Sequence, residues 1–166
     1  MKQTITRKGS FDSGHRVMHE RFKCFNHHGH TFLYELTFSW EQAEKIGYSI
    51  DFKEIKRVAC QWIDDVLDHG FLANPKDTGI VNLCRETGTK LFLMHLLDDD
   101  GYCNPSAENI AKELFYAVST LMDRDDESQF KLDRIRLYET PNCFVECEGL
   151  NVSEMIKLRD SGFRDE

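Results

Sequence analysis

The chain has 166 residues, 40% of them hydrophobic and 30% charged, the proportions of a globular domain large enough to bury a core without staples. A formal net charge of −8 argues against a phosphate-backbone binder, which needs basic stripes, while leaving room for a small anionic substrate. No apolar run nears the ~20 residues of a membrane span; the opening MKQTITRKGS has no apolar targeting core, so a cytoplasmic location is expected.

In chain order, residues 2–12 read as a strand of weak alternation. In TFLYELTFSW, Phe32, Tyr34, Leu36, Phe38 and Trp40 share one parity, the pattern of a half-buried strand. The turn-like KIG at 45–47 precedes DFKEIKRVACQWIDDVLDHG. There Phe52, Ile55, Ala59, Trp62, Ile63, Val66 and Leu67 fall on one helical face behind an Asp51 N-cap. Residues 70–104 read as irregular, with one short buried segment at KLFLMHLL. A second helix opens at Ser106 after Pro105; its stripe is Ile110, Ala111, Leu114, Phe115, Val118, Leu121 and Met122. FKLDRIRLYETP reads as a strand and CFVECEGL as its hairpin partner, followed by a polar tail at about 151–166.

The expected order is ββααββ. That makes one α+β domain over 1–166, with an antiparallel four-stranded sheet and two helices on one face. The six cysteines form no CxxC pair, and free thiols are the better reading without a secretory signal.

Five of the seven histidines lie in FDSGHRVMHERFKCFNHHGHTFLY. His28 and His30, two apart beside a strand, point to one face. A hairpin could bring His15 alongside them. Three imidazoles suit a catalytic zinc site, which keeps a position open. An HxH pair is also a common surface arrangement, His19 and His27 are candidates by composition, and Cys24 fits either a fourth ligand or a buried thiol.

These residues carry a family pattern. Phe11 to Arg16 spells F-x-x-x-H-R, and Cys24 to His30 spells C-x-x-x-H-G-H. Ile50-Asp51-Phe52 with Ile55-Lys56 is similar to I-D-F-x-x-L-K. Leu67-Asp68-His69 with Leu72 and Asn74 is similar to L-D-H-x-x-L-N, with Ala73 inserted. Asn104 to Glu108 is similar to N-P-T-x-E, and Glu139-Thr140 to a late E-T. Six motifs in order resemble the 6-pyruvoyltetrahydropterin synthase family, including the 6-carboxytetrahydropterin synthases of queuosine biosynthesis.

The resemblance implies the tunnelling fold and a Zn2+ ion on His15, His28 and His30, with His19 and His27 outside the ligand set. It implies Cys24 as general base or acid, Asp68 and His69 as proton-transfer partners, and Glu139 as the pterin anchor. By local pattern alone, Asp68 and His69 also fit a helix C-terminal turn ended by Gly70, and Glu139 an exposed strand charge. Glu108 fits a helix-dipole carboxylate and stays outside the site set. The implied substrate is 7,8-dihydroneopterin triphosphate. The implied product is 6-carboxytetrahydropterin with acetaldehyde and triphosphate, because the compact Lys23-Cys24-x-x-x-His28-Gly29-His30 spacing resembles the queuosine-type enzymes; the alternative is the pyruvoyl branch, with 6-pyruvoyltetrahydropterin. The implied assembly is a homo-oligomer, trimer or hexamer, with active sites between subunits. A non-catalytic zinc- and pterin-binding oligomer is the reading from another class. The chain departs from the family in its long 75–104 segment, its tail, and Cys147 where an aromatic is common.

Overall fold

The computed structural model describes residues 2–19, 21–40, 47–95, 103–123 and 130–149; the 151–166 tail lies outside them. Strand β1 (Gln3–His15) pairs antiparallel with β2 (His28–Trp40) along its whole length, Gln3 opposite Trp40 and His15 opposite His28. β2 pairs antiparallel with β5 (Lys131–Thr140), and β5 with β6 (Cys143–Glu148). These four are the expected strands, although β1 and β2 extend to include His15, His28 and His30.

The sheet is wider than expected. On the other side of β1 lie β3 (Gly70–Ala73) and β4 (Leu91–Leu93), both parallel to their neighbours, giving the order β4-β3-β1-β2-β5-β6. Four- and three-residue strands show no useful periodicity, and their ladder partners are distant in the chain. The segment read as irregular therefore holds β4 and the helix α3 (Thr78–Thr87), closed by Gly88 at φ 69°. A left-handed residue after a helix's last turn is where glycine is favoured.

The first helical run opens at the Asp51 cap, whose carboxylate accepts from Lys53 N. It comprises α1 (Phe52–Ile55), a π-helical turn (Lys56–Cys60) and α2 (Gln61–Val66). The last helix, α4 (Ala107–Leu121), is capped by Ser106, which accepts from Asn109 N. Both runs pack against one sheet face: Ile55, Ala59, Ile63, Leu67, Ile110, Leu114 and Val118 join Phe11, Phe32, Leu36, Phe38, Ile135 and Leu137 in one core cluster. A smaller cluster of Ala73, Ile80, Val81 and Cys84 fastens α3 to β3 and β4. No described helix is long and apolar enough to cross a membrane.

Candidate active site

The β1–β2 register builds the site's centre. Ser13 lies opposite His30 and His15 opposite His28, so all four side chains share the core-side face. One nitrogen from each of His15, His28 and His30 lies within 4.8 Å of the others. Phe32, one step deeper on that face, supports the cluster with its ring centroid 5.4 Å from His15 and 5.6 Å from His30.

Two carbonyls orient the imidazoles. His15 Nδ1 donates to the Pro105 oxygen at 2.7 Å, and His28 Nδ1 to the Asn26 oxygen at 2.7 Å. A carbonyl only accepts, so each Nδ1 carries its hydrogen and each Nε2 keeps a lone pair. The His15 Nε2 is buried without a hydrogen-bond partner. Burial pushes the His15 pKa down to about 4, assisted by His28 and His30 and opposed by the Pro105 hydrogen bond. Three convergent imidazoles with an orphaned, aimed nitrogen are a donor set that fits a divalent ion such as zinc.

Glu139 joins this centre to a cavity. Its Oε1 lies 3.5 Å from His15 Nε2 and 3.9 Å from His30 Nε2, and the same side chain lines a cavity of about 430 Å3 with Val17, Cys24, Glu108, Cys143 and Phe144. Cys24 sits on a 3-10 turn (Lys23–Phe25) in the β1–β2 connection and is half-buried. Glu108, at the start of α4, is exposed on the cavity wall.

Asp68 and His69 are brought together, but elsewhere. His69 Nδ1 lies 2.5 Å from Asp68 Oδ2. The Asp12 backbone holds both: its N–H donates to Asp68 Oδ1 at 2.7 Å, and its oxygen accepts from His69 N at 2.7 Å. His69 takes φ 57° there, a left-handed conformation uncommon outside glycine. The Asp12 carboxylate also groups with the two residues and accepts from Thr31 Oγ1 at 2.5 Å. Positions 12 and 31 have the opposite parity to 13, 15, 28 and 30, so this group lies across the sheet from the imidazole cluster. The hydrogen bond that His69 donates to Asp68, and the charge of that carboxylate, raise the His69 pKa. For Asp68, burial pushes upward, but the Asp12 N–H, His69 and Lys90 outweigh it and hold the carboxyl below its ordinary value.

His27 points to that other face, its ring 5.7 Å from Phe71. Neither His27 nor His19 joins a ligand group among the described residues. Sequence reasoning missed Asp12, Pro105 and Asn26: Pro105 and Asn26 act through backbone carbonyls that leave no side-chain signature, and Asp12 meets Asp68 and His69 only once the chain is folded.

Residues 4–150 match the family pattern described as 6-pyruvoyl tetrahydropterin synthase. The chain belongs to that family. It is 36% identical over 144 residues to the 6-carboxy-5,6,7,8-tetrahydropterin synthase of Rickettsia felis, covering 85% of this chain and 96% of that protein. The protein of the same description from Haemophilus influenzae is 30% identical over 148 residues, covering 86% and 96%. Among solved structures, the Plasmodium falciparum 6-pyruvoyl tetrahydropterin synthase superposes with a TM-score of 0.65 at 16% identity, over 90% of this chain and 99% of that one. The Caenorhabditis elegans member gives 0.61 at 19% identity, over 90% and 97%. These two likenesses establish a shared fold, and the membership makes the chain a tetrahydropterin synthase-type enzyme.

Proposed function

We propose that the chain is a zinc-dependent lyase that converts 7,8-dihydroneopterin triphosphate to 6-carboxy-5,6,7,8-tetrahydropterin, acetaldehyde and triphosphate, a reaction that serves queuosine synthesis. The observation that carries this reading is the convergence of His15, His28 and His30 beside Glu139, whose side chain also lines one cavity with Cys24. The description of the relatives that span nearly the whole length supports the carboxy product over the pyruvoyl one.

In this reading His15, His28 and His30 would hold zinc, the first two through nitrogens that the Pro105 and Asn26 carbonyls aim. Zinc supplies Lewis-acid stabilisation of developing negative charge on side-chain oxygens. Glu139 accepts hydrogen bonds from the pterin 2-amino group and the adjacent ring N–H, a paired geometry that selects the ring. Cys24, across the cavity, takes a proton from the substrate side chain. A thiolate is the competent form of that side chain.

The Asp68–His69 pair serves a neighbour. Asp68 accepts the His69 Nδ1 hydrogen and leaves Nε2 to carry protons, but the pair faces away from its own chain's imidazoles. A homotrimer, stacked in pairs as a hexamer, would present it to the adjacent subunit's cavity. Closing the sheet with other copies also covers the edges left open at β4 and β6.

The test is incubation of the zinc-loaded protein with dihydroneopterin triphosphate, followed by mass analysis. Acetaldehyde with the carboxypterin is expected. A diketone pterin would reassign the chain to the pyruvoyl branch, and unchanged substrate would leave a non-catalytic pterin binder.

A further inference from the structure

The long segment after β3 carries an ion pair that neither the metal centre nor the proton-transfer pair uses. Arg16 Nη2 donates to Asp77 Oδ1 at 2.7 Å and Arg16 Nε donates to Asp77 Oδ2, a fork on a carboxylate. The Asp77 side chain is 4% exposed. Burying such a pair is costly, and it persists only with good geometry and specific support.

Asp77 also stands at the N-cap position of α3, where an aspartate would ordinarily accept from its own helix. Its side chain makes no capping hydrogen bond. The carboxylate is committed to Arg16 instead, so a local helix-stabilising contact is given up for a long-range one.

The other end of that contact is the connection carrying Cys24. The Arg16 guanidinium carbon lies 5.1 Å from the Phe25 ring centroid, within cation–π range. Val17 N donates to the Cys24 oxygen at 2.8 Å. Asn104 clasps the same connection from outside: its Oδ1 accepts from Met18 N, and its Nδ2 donates to Met18 O, both at 3.1 Å. Asn74 Nδ2 donates to Asn104 Oδ1 at 3.1 Å, and Asp77 N to the Asn74 oxygen at 2.9 Å. The two fastenings therefore share one base, formed by the turn between β3 and α3.

We propose that Asp77, acting through Arg16 and its contact with Phe25, is a positioning residue that sets Cys24 against the cavity facing Glu139. The inserted segment then has a defined role: it supplies the buried carboxylate that locks the β1–β2 connection. This rests on the proton-transfer role given to Cys24, but the geometry it claims can be measured without turnover.

The experiment compares zinc-loaded wild type with Asp77→Asn, Arg16→Lys and Phe25→Leu. Each would be checked for native circular dichroism and metal content. Arg16→Lys keeps charge and loses the fork; Phe25 is 46% exposed, so its leucine variant should fold even if Asp77→Asn does not. Two readouts are taken: the kcat and KM split, and the iodoacetamide alkylation rate of Cys24 resolved by peptide mass analysis. Cys143, on another wall of the same cavity, serves as internal reference. Loss of the lock should lower kcat by about tenfold or more, with KM within about threefold. It should accelerate Cys24 alkylation by about fivefold while Cys143 keeps its rate. Wild-type kcat and Cys24 alkylation in the folded variants would overturn the proposal, as would a rise in KM alone. If wild type turned over no pterin, the reaction assigned above would fail, while the alkylation comparison would still decide the positioning role.

Discussion

His15 and Pro105, ninety positions apart, meet through a 2.7 Å hydrogen bond between an imidazole Nδ1 and a backbone carbonyl. The residue before the α4 cap thereby chooses the tautomer of a side chain at the end of β1. The choice leaves the His15 Nε2 turned toward His28, His30 and Glu139. A helix start, not the hairpin alone, therefore completes the metal-type cluster.

Removing one imidazole should abolish metal binding before it harms the fold. His30 is partly exposed, so His30→Ala leaves little void. Metal affinity should drop by more than ~100-fold, the upper range for losing even a supporting residue. Elemental analysis after dialysis checks it; stoichiometric zinc in the variant would contradict the ligand set.

The Asp68–His69 pair makes a pH prediction. The His69 pKa is raised in the folded chain, so the pair's contribution is fully present below the ordinary histidine value near 6.5. It fades as pH rises through the raised folded value. Asp68→Asn should move the His69 titration downward, read from its imidazole proton shifts by NMR. An unmoved titration would show that Asp68 does not set it.

An intersubunit site predicts complementation. Cys24→Ala and His69→Ala chains, each inactive alone, should regain activity when co-expressed, since roughly a quarter of sites in a randomly mixed oligomer draw both intact residues. Mixed oligomers as inactive as the parents would place both residues in a site within one chain.

Phe32 is fully buried beneath the imidazoles, stacked on Phe11 at 5.1 Å. Phe32→Ala should cost about 3–5 kcal/mol of folding stability, measured by urea unfolding. It should also weaken metal binding by freeing His15 and His30.

Gly14 is needed for close approach. A Cβ there would lie 2.6 Å from the Phe71 ring, which β3 lays over β1. Gly14→Ala should destabilise by about 1–3 kcal/mol, and adding Phe71→Ala should recover part of the loss, read as coupling in a double-mutant cycle.

Long elements were legible because their patterns repeat. The aromatic parity of β2 and the apolar stripes of α1–α2 and α4 each span enough residues for periodicity to speak. β3 and β4 were not legible: their few residues carry no period, and only pairing with β1 makes them strands. The π-helical turn at Lys56–Cys60 keeps Ile55, Ala59, Ile63 and Leu67 on the buried side, so it too was invisible, whereas Phe52 and Leu121, read into the two stripes, are exposed. The imidazole cluster was half legible: the His28–His30 spacing implies one face, but His15 joins them only through the full β1–β2 register.

The sequence by itself determined the long elements and the motifs: the four antiparallel strands, the two capped helical runs, the imidazole trio, and the motif order that names the family. Only the tertiary structure decided the arrangement: which nitrogen of His15 faces the cluster, that Asp77 forgoes its own helix for Arg16, and that Asp68 and His69 turn away from the imidazoles. The reason is physical. Periodicity and capping are set by neighbours within a few residues, whereas tautomer, sheet face and buried ion pairing depend on groups that the chain brings together from sixty to ninety positions away.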